Sequence, residues 1–231
     1  MDNIEMLINF GLTRQEAIIY NLLFSEGKLN GYEASKLTGI SRSNTYNALA
    51  GLVEKGAAYA IEENSVYYTP VPIKEFCNNK IRFMENIREN LISSMPKKRE
   101  KTEGYITIKG EKQIHDKLIN MLQEAKERVY ISLCVDKIMT CENELKDLLN
   151  RGIKLVILTN SKLNYEGAQI YYTDIKDGHI RLIVDSKYVL TGELLDKYNS
   201  TCLFSSNNNL VEVFKEALAN KISLVKINEG A

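Results

Sequence analysis

A run of hydrogen-bonding side chains, Ser41, Arg42, Ser43, Asn44, Thr45 and Asn47, with amphipathic Tyr46 among them, opens a stretch of helical character. Arginine donates two parallel hydrogen bonds to guanine, and asparagine pairs with adenine in the same two-point manner. Arg42 carries the first chemistry, and Asn44 or Asn47 the second. Ser41, Ser43 and Thr45 suit phosphate or base contacts, and helix amides near Ser41 add partial positive charge toward a phosphate. Tyr32 and Lys36, just upstream, are placed to reach a nucleic-acid backbone. The same polar set would also suit a surface that binds protein.

The elements that must hold this set lie between Leu29 and Gly56, in LNGYEASKLTGISRSNTYNALAGLVEKG. Asn30 with Glu33 three residues on, and Ser41 ahead of a periodic run, are helix-start signals. Thr38-Gly39-Ile40 breaks the two helices apart. The second helix repeats apolar residues at Ala48, Leu49, Leu52 and Val53, so its far end is anchored while its start is polar. That division suits insertion into a DNA major groove. A further helix is expected over Thr13–Ser25, opened by a Thr13/Glu16 capping box and apolar at Ala17, Ile18, Tyr20, Leu22, Leu23 and Phe24. Asn3–Phe10 reads as a short helix covering it. After Gly56, the runs 57–61 and 66–69 alternate around the polar turn 62–65, a hairpin pattern. Together these parts predict an α+β winged helix-turn-helix domain over residues 1–72. Its wing turn is acidic, Glu62-Glu63, which weakens any wing–phosphate contact.

Ile73 to Met95 is expected to be helical, with Cys77, Met84 and Leu91 recurring every seven residues and Ile87 between them. That spacing fits a dimerisation helix over 73–95; the other reading is a helix lying on its own winged domain. Residues 96–103, beginning Pro96-Lys97-Lys98-Arg99, read as a solvated linker. From Gly104 to Ala231 strands and helices alternate. Strands are expected at 105–109, 128–134, 154–158, 170–173, 180–184, 188–191 and 201–204, with helices at 111–126, 142–151 and 210–222. This is an α/β layered pattern for residues 104–231.

Composition sets the limits. At 231 residues, 44% hydrophobic and 26% charged, the chain has room for two ordinary globular domains. Thirty basic residues balance thirty acidic ones, which excludes a protein that coats nucleic acid indiscriminately. Residues 1–72 hold five basic (Arg14, Lys28, Lys36, Arg42, Lys55) and eight acidic side chains, and residues 73–103 eight basic and five acidic. Phosphate attraction is therefore local. Cys77, Cys134, Cys141 and Cys202 lack the paired spacing of a zinc site and are read as reduced and mostly buried. No metal and no cofactor is expected. No apolar run approaches a membrane span, and the start MDNIEMLINFGL is acidic where a signal peptide is basic, so a cytoplasmic protein without membrane contact is expected.

The order of parts resembles the TrmB-like family of transcriptional regulators. The carrying residues are Gly11-Leu12-Thr13-Arg14-Gln15-Glu16-Ala17, Tyr32-Glu33-Ala34-Ser35-Lys36, Gly39-Ile40-Ser41-Arg42-Ser43, Tyr46, Leu52-Val53-Glu54-Lys55-Gly56 and Tyr67-Tyr68-Thr69-Pro70-Val71-Pro72. Residues 104–231 resemble that family's regulatory domain, which has a phospholipase D-like fold. The resemblance implies a homodimeric, sequence-specific regulator of transcription that binds double-stranded DNA, with a second domain that senses a small-molecule effector or assembles subunits. The best-known members sense sugars through an additional C-terminal region; this chain ends at Ala231, so a sugar effector is not expected. Gly178–Asp185 is similar to the phospholipase D signature HxKxxxxD, but Arg181 stands for the lysine and Asp185 arrives one residue early. The only other histidine, His115, lies outside any such motif. His179 and Arg181 are therefore expected to line a ligand site rather than to catalyse, and no enzyme is expected; the alternative is a phosphodiesterase or nuclease using this degenerate motif.

Overall fold

The computed structural model describes residues 2–96, 104–195 and 199–229. All but the first residue of the expected 96–103 linker lies outside the described residues. The chain divides into two compact units, Met1–Lys98 and Arg99–Ala231.

In the first unit, three capping boxes set three helix starts. Asp2 with Glu5 opens α1 (Asn3–Asn9), Thr13 with Glu16 opens α2 (Arg14–Glu26), and Asn30 with Glu33 opens α3 (Gly31–Thr38). Each box satisfies backbone N–H groups that the helix itself leaves free. Leu29–Asn30 also form a short strand, β1, that no alternation in the sequence marks. Gly39 ends α3 in the left-handed region at φ 71°, and Ser41 then caps α4 (Arg42–Glu54). β2 (Ala58–Glu62) and β3 (Val66–Pro70) form the hairpin, and β1 adds to β3, giving an antiparallel sheet of order β1-β3-β2. The predicted winged helix-turn-helix is thus present, with one more strand than expected.

Its core differs from the expected one in detail. Ile19, rather than Ile18, is fully buried, and Phe24 and Val53 are exposed. Tyr20 fills the centre against Phe76 at 5.7 Å between ring centroids, and its hydroxyl donates to the Val71 carbonyl at 2.9 Å. Burial, with the Cys77 thiol nearby, pushes the Tyr20 phenol up to about 12. Glu16 is buried as well: one carboxylate oxygen accepts from the Thr13 N–H and from Lys55 Nζ at 2.6 Å, tying the start of α2 to the end of α4. Lys55 also donates to the Gly11 carbonyl.

α5 (Ile73–Ser94) follows without a side-chain cap. Its first turns rest on the winged domain, since Phe76 is buried and Cys77 packs partly against the same core. Beyond them Ile81, Met84 and Leu91 are about half exposed, at 49%, 53% and 53%. Cys77 is thus turned to its own domain, as the second reading expects, while the later heptad positions Met84 and Leu91 are exposed.

The second unit is a seven-stranded mixed sheet of order β4-β10-β9-β8-β5-β6-β7, built from β4 (Tyr105–Lys109), β5 (Arg128–Ser132), β6 (Lys154–Thr159), β7 (Gln169–Tyr172), β8 (His179–Val184), β9 (Tyr188–Glu193) and β10 (Thr201–Ser205). β5, β6 and β7 are parallel, and the other pairs antiparallel. α6 (Glu111–Glu124), the unexpected short α7 (Val135–Met139) and α8 (Glu142–Asn150) contribute to the core on one face. α9 (Asn208–Glu229), longer than predicted, covers part of the other through Val211, Leu218 and Ile222. Strand alternation sorts residues between the faces: Ile180, Leu182 and Val184 enter the α6–α8 core, whereas Ile183 packs on the α9 side. Cys134, Cys141 and Cys202 are buried in this unit.

Asp185 follows β8 in a left-handed conformation at φ 52°. Its carboxylate accepts the backbone N–H groups of Lys126, Glu127 and Arg128 at the start of β5, the shortest at 2.8 Å from Glu127. Partial burial opposes its ionisation, but these three bonds, helped by Lys187, outweigh that and hold the carboxyl below its usual range. Because the folded group is the stronger acid, the stability it gives is full above its unfolded pKa and falls as pH drops through the folded one. Asp185→Ala is expected to cost about 2 kcal/mol at neutral pH, from lost charge-assisted hydrogen bonds. The deficit should shrink as acid protonates the parent, which urea unfolding at several pH values would measure.

Candidate nucleic-acid interface

α4 presents two faces. Thr45, Ala48, Leu49 and Leu52 are buried, while Arg42, Ser43, Asn44, Tyr46 and Asn47 are exposed. Thr45 therefore leaves the list of candidate contacts: its side chain is fully covered, and its hydroxyl donates to the Ile40 carbonyl at 3.4 Å. It belongs to the i, i+3, i+4, i+7 stripe that seats the helix. Ser41 accepts the Asn44 N–H through its hydroxyl oxygen and stays exposed, leaving its proton available to a phosphate.

Tyr32 and Lys36 are exposed on α3. The Arg42 guanidinium stacks over the Tyr32 ring at 4.8 Å, which holds the arginine at the helix tip. Tyr46 lies so close to the start of α3 that a Cβ on Gly31 would fall 2.4 Å from its ring. Spacing alone did not point to Gly31, since its role depends on a side chain one helix away. Eight of the nine predicted residues are thus exposed, two on α3 and six at the start of α4 and its cap, with Arg42 and Tyr32 in contact. At the wing, Glu63 pairs with Lys28, which also lies 4.6 Å from the Tyr67 ring centroid, so one of the two acidic charges is offset.

The second predicted pair, His179 and Arg181, lies on β8 in the other unit and lines a cavity of about 320 Å³. Sequence reasoning missed their companions there, Ser132 from β5, Asp174 and Lys176 from the segment before β8, and Lys221 from α9. These come from three segments besides β8, so no local spacing connects them. His179 Nε2 is 3.1 Å from Glu193 Oε1, close enough for an ion pair but not aligned as a hydrogen bond. Asp185, the acid of the degenerate motif, is instead spent on the backbone at the other end of the strand. No group of three potential metal-ligating side chains occurs among the described residues.

With this geometry in place, comparison with known proteins bears first on the winged unit. Residues 6–74 match the family model described as sugar-specific transcriptional regulator TrmB. That match covers the helix-turn-helix segment, less than half of the chain, which is similar to the TrmB family there. The uncharacterized protein YrhO of Bacillus subtilis (strain 168) is 26% identical over 175 residues, 74% of this chain and 64% of that protein. The sugar-sensing regulator TrmBL1 of Pyrococcus furiosus is 30% identical over 109 residues, 47% of this chain and 30% of that one. The matched region spans less than two thirds of either relative. Among solved structures, the archaeal chromatin protein TrmBL2 aligns over 95% of this chain and 96% of its own, at 21% identity and a TM-score of 0.46. The TrmB segment contains the whole of α2, α3 and α4 together with the winged sheet.

Proposed function

We propose that this protein is a sequence-specific DNA-binding regulator of transcription, working as a homodimer in the cytoplasm. In this reading Tyr32, Lys36, Ser41, Arg42, Ser43, Asn44, Tyr46 and Asn47 contact duplex DNA. The observation that carries it is the division of α4 between a seated stripe and a free, hydrogen-bonding tip, within a segment of TrmB type. Two such tips, set roughly 34 Å apart by dimerisation along α5, would read a two-fold symmetric operator. The exposed Met84 and Leu91 supply the apolar seam.

The second unit acts in this reading as an effector-sensing or assembly domain, with His179 and Arg181 in its ligand site. It is not an enzyme: the motif's acid is engaged in holding two strands together, leaving His179 without the aligned acid a nucleophile needs. A ligand would control DNA binding by favouring one dimer arrangement over another. No described helix is long and apolar enough to cross a membrane.

Genome-wide mapping of bound DNA would supply the operator, and fluorescence anisotropy on that duplex would test the contacts. Arg42→Ala is expected to weaken operator binding by about 1–3 kcal/mol, the worth of a bidentate guanine contact. It should also relax preference at a single base pair. Equal affinity of parent and variant would remove Arg42 from the interface.

A further inference from the structure

α9 carries two apolar stripes, and the sheet takes only one of them. Val211, Leu218 and Ile222 pack on the sheet, and Val225 is buried as well. Away from them Val213, Ala217, Asn220, Leu224 and Ile227 are all exposed, with Val213, Leu224 and Ile227 at 59%, 61% and 67%. These five follow one another in alternating steps of four and three residues, the seam pattern of a coiled coil. At about 100° per residue they fall within about 80° of one another, on the side of α9 that faces away from the sheet. We infer that this stripe pairs in parallel with the same stripe of a second copy, an inference that rests on the reading of the second unit as an assembly domain.

Asn220, the one polar member, stands in the middle of the seam. A carboxamide both donates and accepts, so two copies of Asn220 satisfy each other across a parallel pair, whereas an apolar partner would bury the group unpaired. Charge selects the same arrangement. Glu216 and Lys221 flank the stripe on opposite sides, five residues apart, the spacing that sets the carboxylate of one helix beside the ammonium of the other in a parallel pair. Antiparallel helices would set Lys221 against its own counterpart instead. Among the described residues Glu216 makes no ion pair within 4.0 Å. Lys221 Nζ donates to the Asp174 carbonyl at 3.0 Å, and an ammonium has further protons to give. From Val213 to Ile227 the seam runs about 21 Å. That is too short to bury the roughly 1,600 Å² of a standard interface. The stripe therefore closes within a dimer that α5 already joins, where its counterpart is held at high effective concentration.

Disulfide cross-linking of the full chain would test this, with copper phenanthroline and air as the oxidant and peptide mapping to assign each bond. Val213→Cys and Ile227→Cys place a thiol near either end of the seam, and Glu212→Cys places one beside it as a control. All three positions are exposed, so the substitutions leave the core untouched. Val213→Cys and Ile227→Cys are each expected to link to their own counterpart at least about tenfold faster than Glu212→Cys, because the paired thiols meet at high effective concentration. The parent, in which Cys77 is the one cysteine not fully buried among the four, sets the background. Linking that occurs only when Val213→Cys is mixed with Ile227→Cys would mean antiparallel helices and would overturn the proposal. So would rates at both seam positions equal to that of the control. If the parent then sediments as a dimer, the α5 seam and the operator-binding reading stand without this contact; if it sediments as a monomer, both seams fall.

Discussion

Placing glutamate at both Met84 and Leu91 is expected to give a folded monomer with about 10²–10⁴-fold weaker binding to a two-half-site operator. Both side chains are 53% exposed on α5 and lie one heptad apart. Removing them from water against a second copy would supply the association energy, and two carboxylates per chain at that seam would have to be buried beside their own kind. The large factor comes from linkage rather than from any lost DNA contact: the second half-site is captured within an already bound dimer, at high effective concentration. Sedimentation should show the chain mass in the variant and twice that in the parent. Binding to a single half-site should be nearly unchanged, because the α4 tip is untouched. A parent that sediments as a monomer at micromolar concentration would remove the seam and leave α5 as an extension of its own domain.

The second large effect lies inside the winged domain. Lys55→Met is expected to cost about 3 kcal/mol of stability, at the lower end of what breaking a buried pair costs because Lys55 remains about one-third exposed. It strands the Glu16 carboxylate, buried and already accepting the Thr13 N–H, without its counter-ion. Adding Glu16→Gln to Lys55→Met should recover part of the loss, since the amide carries no charge to strand and keeps an oxygen for the Thr13 N–H. Gly51 belongs to the same device, for a Cβ there would lie 2.3 Å from Glu16 Oε1. Gly51→Ala should therefore forfeit the roughly 1 kcal/mol that alanine normally gains over glycine in a helix. Urea denaturation of Lys55→Met, Glu16→Gln, their combination and Gly51→Ala would show the coupling of Glu16 with Lys55 as non-additivity.

These two cases mark what the residues reveal before the fold is known. The helix starts were legible because a capping box joins partners three residues apart, as Thr13 does with Glu16 and Asn30 with Glu33. The strands of the second unit were legible from their apolar, β-branched runs, but their order was not. β10 inserts between β4 and β9, a pairing of residues such as Cys202 with Ile108 that no local pattern encodes. β1 escaped because two residues cannot alternate, and its partners Tyr67 and Tyr68 lie far along the chain. Glu16 was seen only as a cap; its second bond, to Lys55, spans 39 positions.

Thr45 is the instructive error at the site. Its polarity placed it with Arg42 and Asn44, although its phase already matched Ala48, Leu49 and Leu52 on the seated stripe. Hydroxyl chemistry outweighed helical period in that reading, and the period was right. At the second site, His179 and Arg181 are marked in the sequence by their similarity to the phospholipase D signature. Ser132 and Lys221 could not be, because they arrive from β5 and α9.

The free tip of α4 is expected to read DNA sequence. Selecting duplexes from a random pool with the full chain, then measuring the winner's affinity across a salt series, tests it most directly. The expected result is a pseudo-palindrome with half-sites one helical turn apart, a log affinity that falls linearly with log salt, and loss of the selected preference when Arg42, Asn44 and Asn47 are all alanine. A pool that yields no common sequence, or a triple variant that selects the same one as the parent, would contradict it.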